Sequence, residues 1–186
     1  MPPKKRITKD MIINGAIEVT KQTGYESINA RSVAEYLGCS TQPIMYHFAT
    51  IEDLKQAAYA QVDKMHSEYL MAISSEETAL LEIGLNYIRF AVEKPGLFRF
   101  LFQSGYAKES SLLEMIDSKE VRPVLAALRK ASCLTTKKIK QVFLTVALFV
   151  HGYASLIVNN GLDYDEKLVS KHLEHAWNGA VLDATT

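Results

Sequence analysis

The chain has 186 residues, 48% hydrophobic and 23% charged, enough for one compact domain or a small domain joined to a larger one. That composition excludes a disordered polymer, and two cysteines, Cys39 and Cys133, exclude a disulfide framework and suit small core residues. Basic and acidic side chains both number 21, so any affinity for nucleic acid must come from local charge rather than the total.

The first nine residues, MPPKKRITK, hold four basic side chains and no acid. By composition they form either a solvated terminus or a mobile basic arm. No apolar run follows them, so no secretory signal is expected, and the cytoplasm is the expected compartment. Ile12, Ala16 and Val19 share one face of a first helix that Gly24 ends. Asn29 is placed to cap a short second helix, ARSVAEYL, stopped at Gly38, and Ser40 a still shorter third. Thr50 with Asp53 three residues on resembles a capping box for a fourth helix. That helix repeats Leu54, Ala58, Val62, Met65 and Tyr69, so it is long, and SSEET near residue 75 breaks it.

An amphipathic helix with Leu80, Ile83, Tyr87 and Ala91 inward follows and stops at Pro95-Gly96, before the apolar LFRFLF. One or two helices fill 112–131, with Pro123 near a start or kink. Thr135 or Thr136 caps an apolar helix that ends about Asn159-Asn160-Gly161. Its core, 142–158, is slightly short for a bilayer and contains His151, Gly152 and Ser155, so burial among helices is expected and no membrane contact. The last helix carries Val169, His172, Leu173, Ala176, Trp177, Ala180 and Val181 as a stripe. No period-two pattern persists, and the expected fold is all-α.

The stretch STQPIMYHF, residues 40–48, is the most informative. A helix, a turn at Gly38-Cys39 and a second short helix are the layout of a helix-turn-helix, whose second helix enters the major groove. Such a helix need not be long, and its outer face must offer donors and acceptors. Pro43 falls in the first turn, where its missing N–H costs little. Thr41 and Gln42 project from the start, and glutamine can bind adenine bidentately. Ile44, Met45 and Phe48 are expected to face a core, with Tyr46 and His47 free to reach phosphates or bases. The bland reading, an ordinary polar connecting turn, is weakened by the flanks.

INARSVAEYLGCSTQPIMYHFATIEDL closely resembles the DNA-binding domain of the TetR family of bacterial transcriptional regulators, over roughly residues 8–60. VAEYLGCS and IMYHFATIEDL carry most of the likeness. FAVEKPGLFRFLF and FVHGYA look like the ligand-binding domain of a subgroup with a W-H-G motif, Val150 standing where the tryptophan would be. The resemblance implies a three-helix DNA-binding domain with its arm at 1–50, a linking helix over 51–74, and a helical effector-binding and dimerisation domain at 75–186. It implies a homodimer that represses from a pseudopalindromic operator until a small molecule binds. Carried over residue by residue, Thr41, Gln42, Pro43, Tyr46 and His47 line the groove helix. Arg31 and Lys55 meet the backbone, Lys55 beside a helix N-terminus that attracts anions. Many relatives have a lysine just after the small residue that follows Y-x-H-F; here Thr50-Ile51 follow Ala49. With the resemblance, Lys4, Lys5 and Arg6 become phosphate or minor-groove contacts.

Aromatics crowd residues 80–160, most of them ordinary core. A few would line a cavity for a mainly apolar effector: Tyr87, Phe98, Phe102, Met115, Phe143 and His151, the last as its polar handle. Val146, Val150 and Ala154 on the apolar helix, with Val169, His172, Leu173, Ala176, Trp177 and Ala180 on the last, are assigned to a four-helix dimer interface. His172 and His175 lack an acidic or cysteine partner, so no metal site is expected, and no other cofactor. No glycine-rich phosphate loop or nucleophile elbow points to an enzyme. A competing class is a helical ligand-binding scaffold whose helix-turn-helix no longer reads DNA.

Overall fold

A computed structural model describes residues 6–75, 78–107, 111–132 and 134–186, with the side chain of residue 131 left aside. Lys4, Lys5 and Cys133 lie outside the described residues. Those residues form ten α-helices and one 3-10 turn, with no strand among them. The helices are α1 Lys9–Thr23, α2 Ala30–Leu37, α3 Gln42–His47, α4 Ile51–Leu70, α5 Ala79–Glu93, α6 Pro95–Gln103, α7 Leu112–Asp117, α8 Arg122–Ser132, α9 Thr136–Asn160 and α10 Glu166–Thr185.

Local chemistry sets most boundaries. Thr8 caps α1 by accepting the Met11 N–H, and Gly24 ends it at φ 91°. Asn29 and Ser32 form a reciprocal capping box on α2. Thr50 and Asp53 cap α4 in the same way, at 2.9 and 3.1 Å. Thr135 caps α9 and Gly161 closes it in the left-handed region.

The chain divides into two compact units. The first holds residues up to Met65 together with Lys94–Ala107, and the second His66–Glu93 with Lys108–Thr186. Most of α4 and all of α6 fall in the same compact unit as the helix-turn-helix. The cause is aromatic packing that spacing along the chain does not reveal. Phe100 of α6 stacks on Tyr25 at 5.5 Å and meets Tyr59 edge-on at 5.7 Å. Tyr25 and Tyr59 donate to the carbonyls of Gln103 and Leu101, both at 3.3 Å. Gly96 lies so near α1 that a Cβ there would be 2.7 Å from the Thr20 carbonyl oxygen.

In the second unit α5 packs against α8, α9 and α10. Ile83, Val124, Leu128 and Ile139 form one buried cluster, flanked by Leu80, Phe143 and Trp177. Asn86 donates to the carbonyls of Leu70 and Ala72, and Arg89 pairs with Glu166 at 2.6 Å.

One expected interface turns inward. Val146, Val150, Ala154, Val169 and Leu173 are all buried within the single chain. On α9 the buried positions 142, 146, 150, 154 and 158 recur every four residues and drive that face against α5 and α10. Ala176, Trp177 and Ala180 are half-buried, and His172 alone of the assigned set is exposed. Apolar periodicity identifies a buried stripe without saying which neighbour buries it.

Candidate nucleic-acid interface

Gly38 makes the turn between α2 and α3. Its φ of 63° and ψ of 39° lie in the left-handed region, where glycine pays no Cβ penalty. The Cys39 N–H reaches back to the Ala34 carbonyl at 3.0 Å, so the end of α2 is sealed while the chain reverses. Thr41, not Ser40, holds the cap position of α3, and it makes no side-chain capping bond. Pro43 occupies the first turn. Six residues are too few to form a helix alone. Ile44, fully buried, and Phe48, 4% exposed, supply the missing stability by docking α3 into the first unit.

That docking decides what faces outward. Ile44 and Phe48 lie four apart, on one side of the helix. Gln42 with Tyr46 lies on the other, Met45 is beside them, and Thr41 stands at the start of the helix. All four of these are exposed, Tyr46 at 83% and Met45 at 48%. Met45 therefore belongs to the outer face, contrary to the core position expected for it. One residue along a helix is about 100° of rotation, enough to carry Met45 off the side that Ile44 buries.

The basic residues divide. Arg31, in the first turn of α2, and Arg6 are exposed. Lys55 is half-buried, its ammonium 3.7 Å from Glu52. The first turn of α4 also carries Asp53, so two carboxylates oppose an anion at that helix N-terminus. Glu52 further accepts the Tyr106 hydroxyl at 2.6 Å, and burial, then Glu52 itself, raise the Tyr106 pKa to about 12. Lys55 is thus already engaged within the chain. His47 is engaged too: its Nε2 lies 3.2 Å from the Ile7 carbonyl oxygen. Ile7 is a member of this face that the sequence pattern did not mark, because the contact spans 40 residues and uses only the backbone of Ile7.

The six residues assigned to an effector divide between the two units. Phe98 has no exposed surface and Phe102 is 40% exposed; they contact each other at 4.8 Å within the first unit. Tyr87, Met115, Phe143 and His151 are in the second. There the Tyr87 hydroxyl and His151 Nδ1 lie 2.8 Å apart. His66, which spacing did not single out, meets Tyr87 and Phe90 edge-on at 5.3 and 4.8 Å. Burial lowers the His66 pKa to about 4 and lowers that of His151, and it pushes the Tyr87 hydroxyl up. All three are held neutral at pH 7, a small hydrogen-bonding cluster inside apolar helices. A separate depression of about 270 Å³ is lined by Met71, Ile73, Ala79, Pro123, Ala126, Ala127 and Lys130, none of them assigned residues.

A family model described as "Tetracyclin repressor-like, C-terminal domain" matches residues 80–176, more than half of the chain. The chain belongs to the TetR family of ligand-responsive transcriptional regulators. The model's description is coarser than the W-H-G subgroup that FVHGYA suggested. This TetR-family regulator is 18% identical to the uncharacterized HTH-type transcriptional regulator YobS of Bacillus subtilis (strain 168), over 91% of this chain and 88% of that one. A TetR-family regulator from Streptomyces coelicolor shares its fold with a TM-score of 0.75 at 14% identity, covering 95% of this chain and 81% of that. The multidrug binding protein EbrR, complexed with ethidium, gives a TM-score of 0.63 at 20% identity, covering 90% and 97%. The TetR-family relatives are regulators of transcription, not enzymes.

Proposed function

We propose that the chain is a cytoplasmic repressor that binds a pseudopalindromic operator as a homodimer and is released by a mainly apolar small molecule. The observation that carries this is the outer face of α3. Thr41, Gln42, Met45 and Tyr46 are exposed together on a helix held by Ile44 and Phe48. A side chain that serves only solubility has no reason to be an exposed tyrosine beside an exposed methionine, whereas a groove offers thymine methyls and base edges to both.

Dimerisation is supported by what α9 and α10 leave uncovered. α9 is long and apolar enough to cross a membrane, yet one face is buried within the chain and the other bears exposed Leu148, Gly152 and Leu156. On α10, Leu168, His172, His175, Gly179 and Leu182 are exposed at spacings of four and three, the repeat that packs helices side by side. A Cβ at Gly152 or Gly179 would meet nothing within 4 Å. Glycine inside a helix costs about 1 kcal/mol relative to alanine. Nothing within the chain offsets that, but close approach of a second copy would. The interface is therefore reassigned from the buried stripe to these outer seams.

For the effector, Tyr87 and His151 are neutral hydrogen-bonding groups among apolar helices, suited to an uncharged polar point on an otherwise apolar compound. EbrR, a fold relative, is complexed with ethidium, an aromatic cation, which supports an aromatic ligand but not the uncharged character.

The test is selection of bound duplexes from a random pool. Enrichment of a two-fold site, with half-sites about one helical turn or a multiple apart, is expected for the parent chain. It should vanish for Gln42→Ala/Tyr46→Ala. Gln42→Ala alone should cost about 1–3 kcal/mol and relax one base preference; equal weakening on every duplex would sink the groove assignment. The scaffold reading is favoured by one observation, the Glu52 and Asp53 carboxylates beside Lys55. A flat salt response on any duplex would select it.

A further inference from the structure

We propose that His47 is a positioning residue for the N-terminal arm rather than a contact to DNA. This rests on the chain binding DNA, as argued above. His47 closes α3, and its Nε2 lies 3.2 Å from the carbonyl oxygen of Ile7. A carbonyl only accepts, so Nε2 carries the proton and donates. That bond occupies Nε2, so this nitrogen is not available to the operator while it holds Ile7.

What the bond achieves is visible in the next residues. Ile7 is tied to the last residue of α3, and Thr8 caps α1 through the Met11 N–H at 3.3 Å. Lys9 places its ammonium 5.2 Å from the centre of the Phe48 ring, the residue after His47. Three consecutive residues are held by three different interactions, two of them at the end of the groove helix. Arg6, exposed, is the next residue upstream. The peptide that His47 holds joins Ile7 to Thr8, so the bond places the Ile7 Cα at which Arg6 joins the chain. The same motif thus presents Gln42 and Tyr46 outward and, one residue later, sets the point from which the basic arm departs.

The experiment reads the salt dependence of affinity for a random-sequence duplex with the full chain at a fixed pH of 8. Each phosphate contact contributes about 0.9 to the slope. His47→Ala is expected to lower the slope by the same amount as Arg6→Ala, and the double variant to lower it no further. His47→Gln, which keeps a donor near the Nε2 position, should restore the slope and guards against a mere folding defect. A slope unchanged in His47→Ala, or losses that add in the double variant, would overturn the proposal while leaving the DNA-binding reading intact. No salt-dependent binding by the parent chain would overturn both. Selection by the parent with retained base preference in His47→Ala, lost in Gln42→Ala, separates positioning from base readout.

Discussion

α3 and α9 stand at opposite extremes of how a helix spends its surface. α3 has six residues, is docked by Ile44 and Phe48, and turns polar and aromatic groups outward. α9 has 25 residues, buries a stripe from Ile139 to Val158, and still shows Leu148 and Leu156 to solvent. The short helix cannot exist without its neighbours, so its outer face is free to be chosen for recognition. The long helix is over-supplied with apolar surface, and the proposed homodimer would cover what one chain leaves exposed. Chemistry on the exposed side, more than helix length or stability, separates the face proposed to read from the face proposed to pair.

The comparison breaks most directly through its anchors. Ile44→Ala should cost about 2–5 kcal/mol and abolish α3 with it. Val150→Ala, one of six buried positions on α9, removes less and should cost about 2 kcal/mol. Chemical denaturation of the two variants orders them, and a cheaper Ile44→Ala would mean that α3 is held by something other than its two anchors. Next comes acid. His66 is held at a pKa of about 4, below its ordinary 6.5, because burial disfavours the imidazolium. Between those values the unfolded chain binds a proton that the folded chain refuses, so stability is complete above pH 6.5 and falls as pH drops toward 4. The loss should approach about 3 kcal/mol. Denaturation midpoints at pH 7 and pH 4.5 measure it, and His66→Leu should flatten the profile in that window.

Two smaller effects sharpen the contrast on the reading side. Gly96→Ala pushes a methyl against the Thr20 carbonyl oxygen, backbone that cannot swing aside, and should cost about 1–3 kcal/mol. Asn29→Ala removes the acceptor for the Arg31 and Ser32 N–H groups and should cost about 1 kcal/mol. A thermal melt resolves both; a neutral Gly96→Ala would show that α6 can shift away from α1.

Much of the fold was legible because its boundaries are local events. Asn29, the Thr50–Asp53 pair, Thr135 and the glycines at 24, 38 and 161 act within four residues of where they stand. The exposed face of α3 was legible for the same reason, apart from Met45, whose apolar character outweighed its position on the helix. What spacing could not convey was partnership. Val146, Val150 and Leu173 carried the right periodicity for a seam, and the seam is internal. Phe98 had the right character for a pocket and sits in the other unit from Tyr87 and His151. His47 matched a contacting position and is bonded to a backbone carbonyl. Each of these placements turns on a long-range choice among partners that one chain's pattern leaves degenerate.

The return of α6 to the first unit bears on how the molecule is made. Tyr25 and Tyr59 emerge from the ribosome well before Phe100, the ring they close upon. The reading head is thus complete only after roughly 40 further residues, a wait of about two to eight seconds at 5–20 residues per second. Nascent chains shorter than residue 107 carry an unfinished aromatic core, and a reading head cut at residue 65 would carry it permanently.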